Sequence, residues 1–257
     1  MALPVDDVLE ARLRSAIGRA ETAVLANDAA VRHLYDHDVL TRPLFCFGRV
    51  AIASYFTIGA NPSADDFRAG RWGAGDLASQ CFTYFDRVTP HGFFPNWEAA
   101  LEPLTTMSYA SGGLSHLDVS PRATKSLRAI NSLGDAVIND FLAMARADAS
   151  YMFEILAIVW PQTRGLFAAG TITKKKYLDA FLAAVGPSHG FGFRRRCVFS
   201  GRATSPLASS KVYDVTFGGR SVPLYFCPVG ASADRPGEQE YFRAVKENAE
   251  YLRTLFF

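Results

Sequence analysis

The feature that most constrains this fold is an alternation of short apolar segments with longer segments whose apolar residues recur at helical spacing. Such alternation is typical of α/β proteins, in which helices pack on both faces of a sheet. We therefore predict a three-layer α/β/α sandwich. The predicted strands are Leu44–Gly48, Val50–Ile58, Leu114–Ser120, Arg196–Ser200, and a hairpin of Val212–Phe217 with Val222–Cys227. The predicted helices cover residues 5–39, 75–87, 124–147, 149–160, 173–185 and 238–256.

Folds of this class place their chemistry in loops at the carboxyl ends of the strands. Four such loops are predicted, at residues 59–67, 118–125, 200–206 and 228–236. No shift in composition marks a domain boundary along the 257 residues. We expect one domain over residues 1–257, with a helical insertion around residues 126–193.

Composition excludes two classes of protein. A chain with 49% apolar and 20% charged residues is folded, and a net charge of +2 is not that of a histone-like polycation, although it allows a local basic face. The first residues do not resemble a secretory signal, and no apolar run is long enough to span a bilayer. We expect a soluble cytoplasmic protein, with its four widely spaced cysteines as reduced core thiols.

The loop Gly59-Ala-Asn-Pro-Ser63 follows a strongly apolar strand and is the first candidate site. Gly59 permits a tight exit from the strand, and Pro62 stiffens the loop, so Asn61 is held at the strand end. An amide side chain orients a water through its oxygen and donates through its NH₂ group. The alternative is that Asn-Pro is ordinary turn chemistry.

Leu114–Ser120 is the second candidate, because alternation along a strand places His116, Asp118 and Ser120 on one face. A polar stripe on a buried strand needs partners or a ligand. A solvated edge strand is the alternative. Asp118, nearest the end of the strand, is the most informative of the three residues.

The loop Pro228–Arg235 and the basic clusters are candidates for contact with phosphates. Small residues in the loop let backbone N–H groups approach an anion, and Arg235 adds a positive charge. A plain Gly/Ser loop is the alternative. Short basic runs such as Lys174–Lys176 are more often solvated helix faces than phosphate contacts. Arg194–Arg196 are better placed for a phosphate, because they precede a strand.

The sequence offers little support for other site chemistries. His33, His37, His91 and His189 lack the spacing of metal ligands, so we expect no metal. Ser-His-Asp catalysis lacks the G-x-S-x-G turn that presents its nucleophile.

Taken in order, these loops resemble the uracil-DNA glycosylase superfamily. Gly59-Ala-Asn-Pro-Ser63 is similar to its first motif, and closest to the mismatch-specific and single-strand-selective branches, which carry Gly-x-Asn-Pro-Gly there. Residues 114–124 are similar to the strand that reads the flipped base, Arg196–Gly201 to the next strand, and Pro228–Arg235 to the second motif, which grips phosphates and wedges into the duplex. The resemblance covers residues 44–67, 112–125 and 194–257, and implies a central, mostly parallel four-stranded sheet.

The chain also departs from the family. The second motif usually opens with His-Pro-Ser or Asn-Pro-Ser, whereas Val229-Gly-Ala-Ser or Cys227-Pro228 stands here. The middle strand usually offers Asn, whereas this chain offers Asp118 or His116. The close N-terminal cysteine pairs of the iron–sulfur branches are absent, so we expect no cluster and no cofactor.

The resemblance implies a monomeric DNA glycosylase in which Asn61 orients the attacking water. Backbone amides near Gly59 and Ala60 would meet the base, which Asp118 and His116 would read. An aromatic residue would stack on the base. The remaining residues implied are Phe67 or Trp72 for stacking, Ser63 and Ser232 for flanking phosphates, Ala233 or Arg235 for the gap left by the base, and Arg122 and Arg202 for further DNA contacts.

Two residues bear on which base is excised. Strict uracil enzymes of the family carry a Tyr two residues after the catalytic position, and Ser63 there leaves room for larger 5-substituents. Ionised Asp118 accepts hydrogen bonds only, which suits the N4 amino group of cytosine better than O4 of uracil. We expect uracil or a 5-modified pyrimidine, such as a modified phage cytosine. A non-catalytic nucleic-acid-binding module and an α/β hydrolase of small nucleosides are the rival hypotheses.

Overall fold

The computed structural model describes residues 7–34, 43–61, 75–89, 93–102, 104, 107–122, 127–174, 176–198, 210–228 and 249–256. The helices of these segments are α1 (Asp7–Ala26), α2 (Asp28–Val31), α3 (Leu77–Phe82), α4 (Tyr84–Arg87), α5 (Phe93–Leu101), α6 (Leu127–Ser132), α7 (Asp135–Val159), α8 (Leu178–Val185) and α9 (Ala249–Phe256). Within the same segments, no helix has both the length and the apolar character needed to cross a bilayer.

One mixed sheet of seven strands organises the molecule, in the order β1-β3-β2-β4-β9-β8-β7. Its four central strands β3, β2, β4 and β9 are parallel, whereas β1 at one end and β8 and β7 at the other run antiparallel to their neighbours. The α/β class is therefore confirmed, and the sheet is wider than the four strands expected. The strands are β1 (Cys46–Phe47), β2 (Tyr55–Gly59), β3 (Leu114–Asp118), β4 (Gly165–Ala169), β7 (Gly192–Val198), β8 (Lys211–Phe217) and β9 (Arg220–Cys227), with β5 (Thr171–Thr173) and β6 (Lys176–Tyr177) forming a separate pair.

Helices cover both faces of the sheet. On one face Phe256 of α9 stacks on Phe167 of β4, with ring centroids 4.9 Å apart. Phe226 of β9 pairs with Ala168, so its side chain leaves the sheet on the opposite face, where it meets Tyr177 at the start of α8. This double cover accounts for the continuous burial of the central strands.

The sequence analysis missed β4, which lies at the centre of the sheet. Its sequence Gly-Leu-Phe-Ala-Ala is short, carries no alternation, and contains good helix formers, so periodicity alone does not identify it. Residues 196–198 of the predicted strand Arg196–Ser200 are instead the end of β7, an edge strand four positions from β2, and the rest of that prediction lies outside the described residues. At the usual spacing between strands, β7 lies about 19 Å from β2. The position beside β2 that was expected for residues 196–200 is occupied by β4.

The predicted strand Val50–Ile58 is shorter than expected. Residues 50–54 form turns, and only Tyr55–Gly59 enter the sheet. Val50 and Ala53 are nevertheless fully buried, because the Gln162 side chain donates to the backbone carbonyls of Val50, Ala51 and Ala53. One amide thus satisfies carbonyls that a strand would otherwise have paired.

The helices also differ from prediction at their boundaries. The expected break near residue 148 lies instead at Gly134, whose φ of 96° ends the run between α6 and α7. The start of the predicted helix 173–185 is occupied by β5 and β6. The four cysteines are free thiols as predicted, although Cys197 is only partly buried.

The order of the central strands creates a topological switch point. From β2 the chain moves to β3 on one side, whereas after β4 it moves to the other side, where β7, β8 and β9 lie. In open α/β sheets the crevice between two such strands, at their carboxyl ends, is where ligands bind. The expected site is therefore the edge of the sheet at which β2 and β4 end.

Replacing Gly165 with alanine tests the close packing of α9 on the sheet. A Cβ at this position would lie 2.5 Å from Phe256 Cδ1 and 3.0 Å from Tyr55 Cδ1, so we expect Gly165→Ala to lower the free energy of unfolding by about 1–3 kcal/mol. The matched control is Gly18→Ala in α1, where nothing lies within 4 Å and helix propensity predicts a gain of about 0.5–1 kcal/mol. Urea unfolding measures both, and equal effects would contradict this packing.

Candidate functional site at the carboxyl edge of the sheet

The ends of β2 and β3 bring the first two sequence candidates together. Gly59 pairs with Asp118, and the backbone N–H groups of Val119 and Ser120 donate to the carbonyls of Gly59 and Ala60 at 3.0 Å. The two chains therefore stay side by side just beyond the strands. Asn61, half-buried, follows directly at this edge, so the loop that carries it lies next to the end of β3.

His116 and Asp118 lie side by side on one face of β3, as the strand alternation predicts. His116 Nε2 is 3.2 Å from Asp118 Oδ1, and the two side chains are only 4% and 2% exposed. Ser120 does not continue this stripe. The strand ends at Asp118, and the Ser120 hydroxyl donates to Asp148 of α7 instead.

Glycine is required at position 59 because a side chain there would not fit, and not because the backbone makes a tight turn. Its φ is not positive, so the tight exit expected from the sequence is not what favours glycine. A Cβ at Gly59 would collide with Asp118 Oδ1 and lie 2.9 Å from His116 Nε2. The missing side chain is therefore what lets the two polar groups of β3 lie over the end of β2.

Two buried hydroxyls connect to the far side of the His116 ring. Thr57 Oγ1 on β2 lies 2.8 Å from His116 Nδ1 and 2.7 Å from the hydroxyl of Tyr109. Burial raises the pKa of Tyr109 well above its usual value; the Thr57 hydrogen bond lowers it, and the negative charges of Glu98 and Asp118 raise it further. Tyr109 therefore stays a neutral phenol at any physiological pH.

Aromatic rings fix the orientation of the His116 imidazole. Phe94 of α5 meets it edge-on at 5.5 Å between centroids, and Phe47 of β1 meets it tilted at 5.7 Å. Phe94 also packs edge-to-face on Tyr109 at 5.1 Å. Aromatic rings thus surround the imidazole, and its two nitrogens contact polar groups, Nδ1 the Thr57 hydroxyl and Nε2 the Asp118 carboxylate.

Asp118 holds the unusual position in this group. Neither of its carboxylate oxygens accepts a hydrogen bond from the described residues, because the 3.2 Å contact with His116 Nε2 lacks hydrogen-bond geometry, and the residue is only 3% exposed. A buried carboxylate without hydrogen bonds is unfavourable, and most buried polar groups avoid that state. Asp118 therefore has acceptor capacity at the carboxyl edge that a ligand with N–H groups can use.

Arg122 has a structural role in this fold. Its guanidinium is buried, where Nε lies 2.9 Å from Asp148 Oδ2 and another nitrogen donates to the carbonyl of Val24. Burial raises the pKa of Asp148, and the Arg122 charge lowers it in part. The network fastens the segment after β3 to α1 and α7, and this geometry does not support the predicted contact of Arg122 with DNA.

The remaining predicted site residues lie outside the described part of the chain. The start of the second predicted motif can still be placed, because β9 runs parallel to β2 and Pro228 leaves the sheet at the same edge as Asn61. The residues outside the described segments are Ser63, Phe67, Trp72, Arg202, Ser232, Ala233 and Arg235.

Sequence reasoning missed Thr57 and Tyr109. Thr57 is the one aliphatic hydroxyl in the apolar strand Tyr-Phe-Thr-Ile and lies two residues before Gly59, so it is on the same face, which is a readable signal. Tyr109 belongs to a turn before β3 and carries no such pattern. As for metal ions, the described residues contain no cluster of three or more His, Cys, Asp or Glu side chains suited to hold one.

Comparison with known proteins did not identify a family for this chain. No model of a protein family matches the chain, and no curated protein matches it either.

The two buried aspartates near the end of β3 predict opposite responses to neutralisation. Asp118→Asn removes a charge that receives no hydrogen bond from the part of the chain that the structure describes, so we expect the free energy of unfolding to rise by about 1 kcal/mol. Asp148→Asn leaves the Arg122 charge buried without its closest partner, and we expect a loss of about 3 kcal/mol. Urea unfolding at neutral pH measures both, and a loss of similar size in the two variants would contradict a ligand-facing role for Asp118.

Proposed function

We propose that this protein is a DNA glycosylase with a fold of the uracil-DNA glycosylase type. It would flip a pyrimidine nucleotide out of DNA and hydrolyse the bond between C1′ and the base. The observation that carries the proposal is the buried Asp118 carboxylate, without hydrogen bonds from the described residues, beside His116 and next to the loop of Asn61. The four central parallel strands agree with the sheet that the sequence resemblance implies.

Hydrolysis of a glycosidic bond needs little covalent chemistry from the protein. As the bond breaks, positive charge develops on the sugar and negative charge on the departing base, which keeps the bonding electron pair. A water below C1′ then forms the new C–O bond and yields a proton, which neutralises the base. Asn61, at the end of β2, would hold that water in line through its amide oxygen.

The proposed base follows from what Asp118 can accept. A carboxylate at this depth pairs with an amino group and repels a carbonyl oxygen, so the N4 amino group of cytosine fits and O4 of uracil does not. Ser63, in the position where strict uracil enzymes carry Tyr, agrees with a substituent at C5. We therefore favour a 5-modified cytosine, and removal of such bases from invading phage DNA as the biological role.

Flipping also explains why the site is built from buried groups. A base in the duplex cannot reach side chains that are less than 5% exposed, whereas an extruded base would enter between the ends of β2 and β3. Extrusion costs a few kcal/mol, which the new hydrogen bonds and stacking offset.

Abasic-site formation on a panel of oligonucleotides tests the function. The panel contains uracil, 5-hydroxymethyluracil, and 5-hydroxymethylcytosine with and without glucose, each in single- and double-stranded DNA. We expect abasic product from a 5-modified cytosine and a fall of about 100-fold or more in Asn61→Ala, because the attacking water loses its orientation. The control is Asn27→Ala, which removes an exposed amide at the end of α1.

Three results would contradict the proposal in different ways. Cleavage of uracil alone would refute the assignment of the base. An unchanged rate in Asn61→Ala would refute the role of Asn61. Salt-dependent binding of DNA without any abasic product would favour a non-catalytic binding module.

A further inference from the structure

The hydroxyl groups of Tyr109 and Thr57 form a chain of hydrogen bonds that ends at His116 Nδ1. Each hydroxyl has one proton to donate, and this determines which group donates and which accepts. Tyr109 keeps its single hydroxyl proton, and among the described residues that hydroxyl has one hydrogen-bond partner, Thr57 Oγ1 at 2.7 Å. A buried donor is almost always paired. Tyr109 therefore donates to Thr57.

Thr57 in turn has one proton to donate and two acceptors within reach. His116 Nδ1 lies at 2.8 Å, whereas the carbonyl of Ser115 lies at 3.4 Å, beyond the usual range for a hydroxyl donor. Thr57 therefore donates to Nδ1. Nδ1 is therefore the acceptor nitrogen of the ring and Nε2 is the N–H donor, 3.2 Å from Asp118 Oδ1, so no lone pair of the ring faces the carboxylate.

We infer that Thr57 and Tyr109 are positioning residues that lock His116 as a hydrogen-bond donor beside the acceptor Asp118, and thereby select the base. The base-selecting part rests on the proposed function. Neither hydroxyl needs to touch the substrate, because both act through the His116 ring. Gly59 completes the arrangement by leaving the two side chains room at the carboxyl edge.

Selection follows from the order of donor and acceptor at the pyrimidine edge. Cytosine presents an N4 donor next to an N3 acceptor, whereas uracil presents an O4 acceptor next to an N3–H donor. With Asp118 opposite position 4 and His116 opposite position 3, cytosine matches and uracil does not. In the other tautomer, the Nε2 lone pair would repel the N3 lone pair of cytosine and accept from the N3–H of uracil, so the preference at position 3 would invert.

Nitrogen NMR of the full-length chain tests the lock without any need for activity. Long-range ¹H–¹⁵N correlation reports the tautomer of His116, whose signals are assigned by their loss in His116→Gln. We expect the Nε2–H tautomer in the wild type and in Thr57→Ser, which keeps the hydroxyl. Thr57→Val and Tyr109→Phe should shift the signals towards the Nδ1–H form, because Nδ1 loses its donor or gains an acceptor. Tyr84→Phe removes a different buried phenol from the same aromatic cluster and should leave the tautomer unchanged.

Substrate preference provides the second measurement. We expect the ratio of kcat/KM for cytosine-type over uracil-type substrates to fall by about 10-fold in Thr57→Val and Tyr109→Phe, and to stay near the wild-type value in Thr57→Ser and Tyr84→Phe. A wild-type Nδ1–H tautomer, a tautomer that no variant changes, or a changed tautomer with an unchanged ratio would each overturn the inference. Wild-type inactivity on every base would refute the proposed function instead, and the NMR signals would then decide the lock by themselves.

Discussion

Parallel pairing of β2 with β3 is the constraint on which the site depends. The pairing sets Gly59 opposite Asp118 and Thr57 opposite His116, so one register determines both which groups meet and which nitrogen of His116 is supported. A slip by one residue would turn every one of these side chains to the other face of the sheet. The apolar packing on both faces holds that register, and the polar site is thus a consequence of the core.

The same edge of the sheet contains two kinds of buried polar group. Asp148, Ser120 and Arg122 satisfy one another, and they tie the segment after β3 to the helices. Asp118 has no such hydrogen bonds among the described residues, and the Nδ1 atom of its neighbour His116 lies 2.8 Å from the Thr57 hydroxyl. Satisfied networks stabilise a fold, whereas a buried acceptor at a strand end is what a binding site provides before its ligand arrives.

Much of the fold is readable from the sequence, and the failures have physical causes. The apolar strands β2, β3, β8 and β9 were predicted because their patterns are local. The central strand β4 was missed because burial on both faces removes alternation, leaving five residues that resemble a short helix. In the site, the two-residue period of a strand placed His116 and Asp118 on one face. The role of Arg122 was missed because it depends on Asp148, 26 residues away. Tyr109 was missed because its hydrogen-bond partner Thr57 is 52 residues away. Contacts of that range are set by packing and leave no local pattern.

A structure of the protein bound to DNA that contains a 2′-fluoro-substituted, 5-modified deoxycytidine is the most direct test, because the fluorine prevents cleavage and preserves the bound state. The account predicts that this nucleotide is extruded at the ends of β2 and β3. Its N4 amino group should lie within hydrogen-bond distance of Asp118, N3 should face His116 Nε2, and the Asn61 amide should lie below C1′. A nucleotide that remains stacked in the duplex, or DNA bound at another edge of the sheet, would contradict the account.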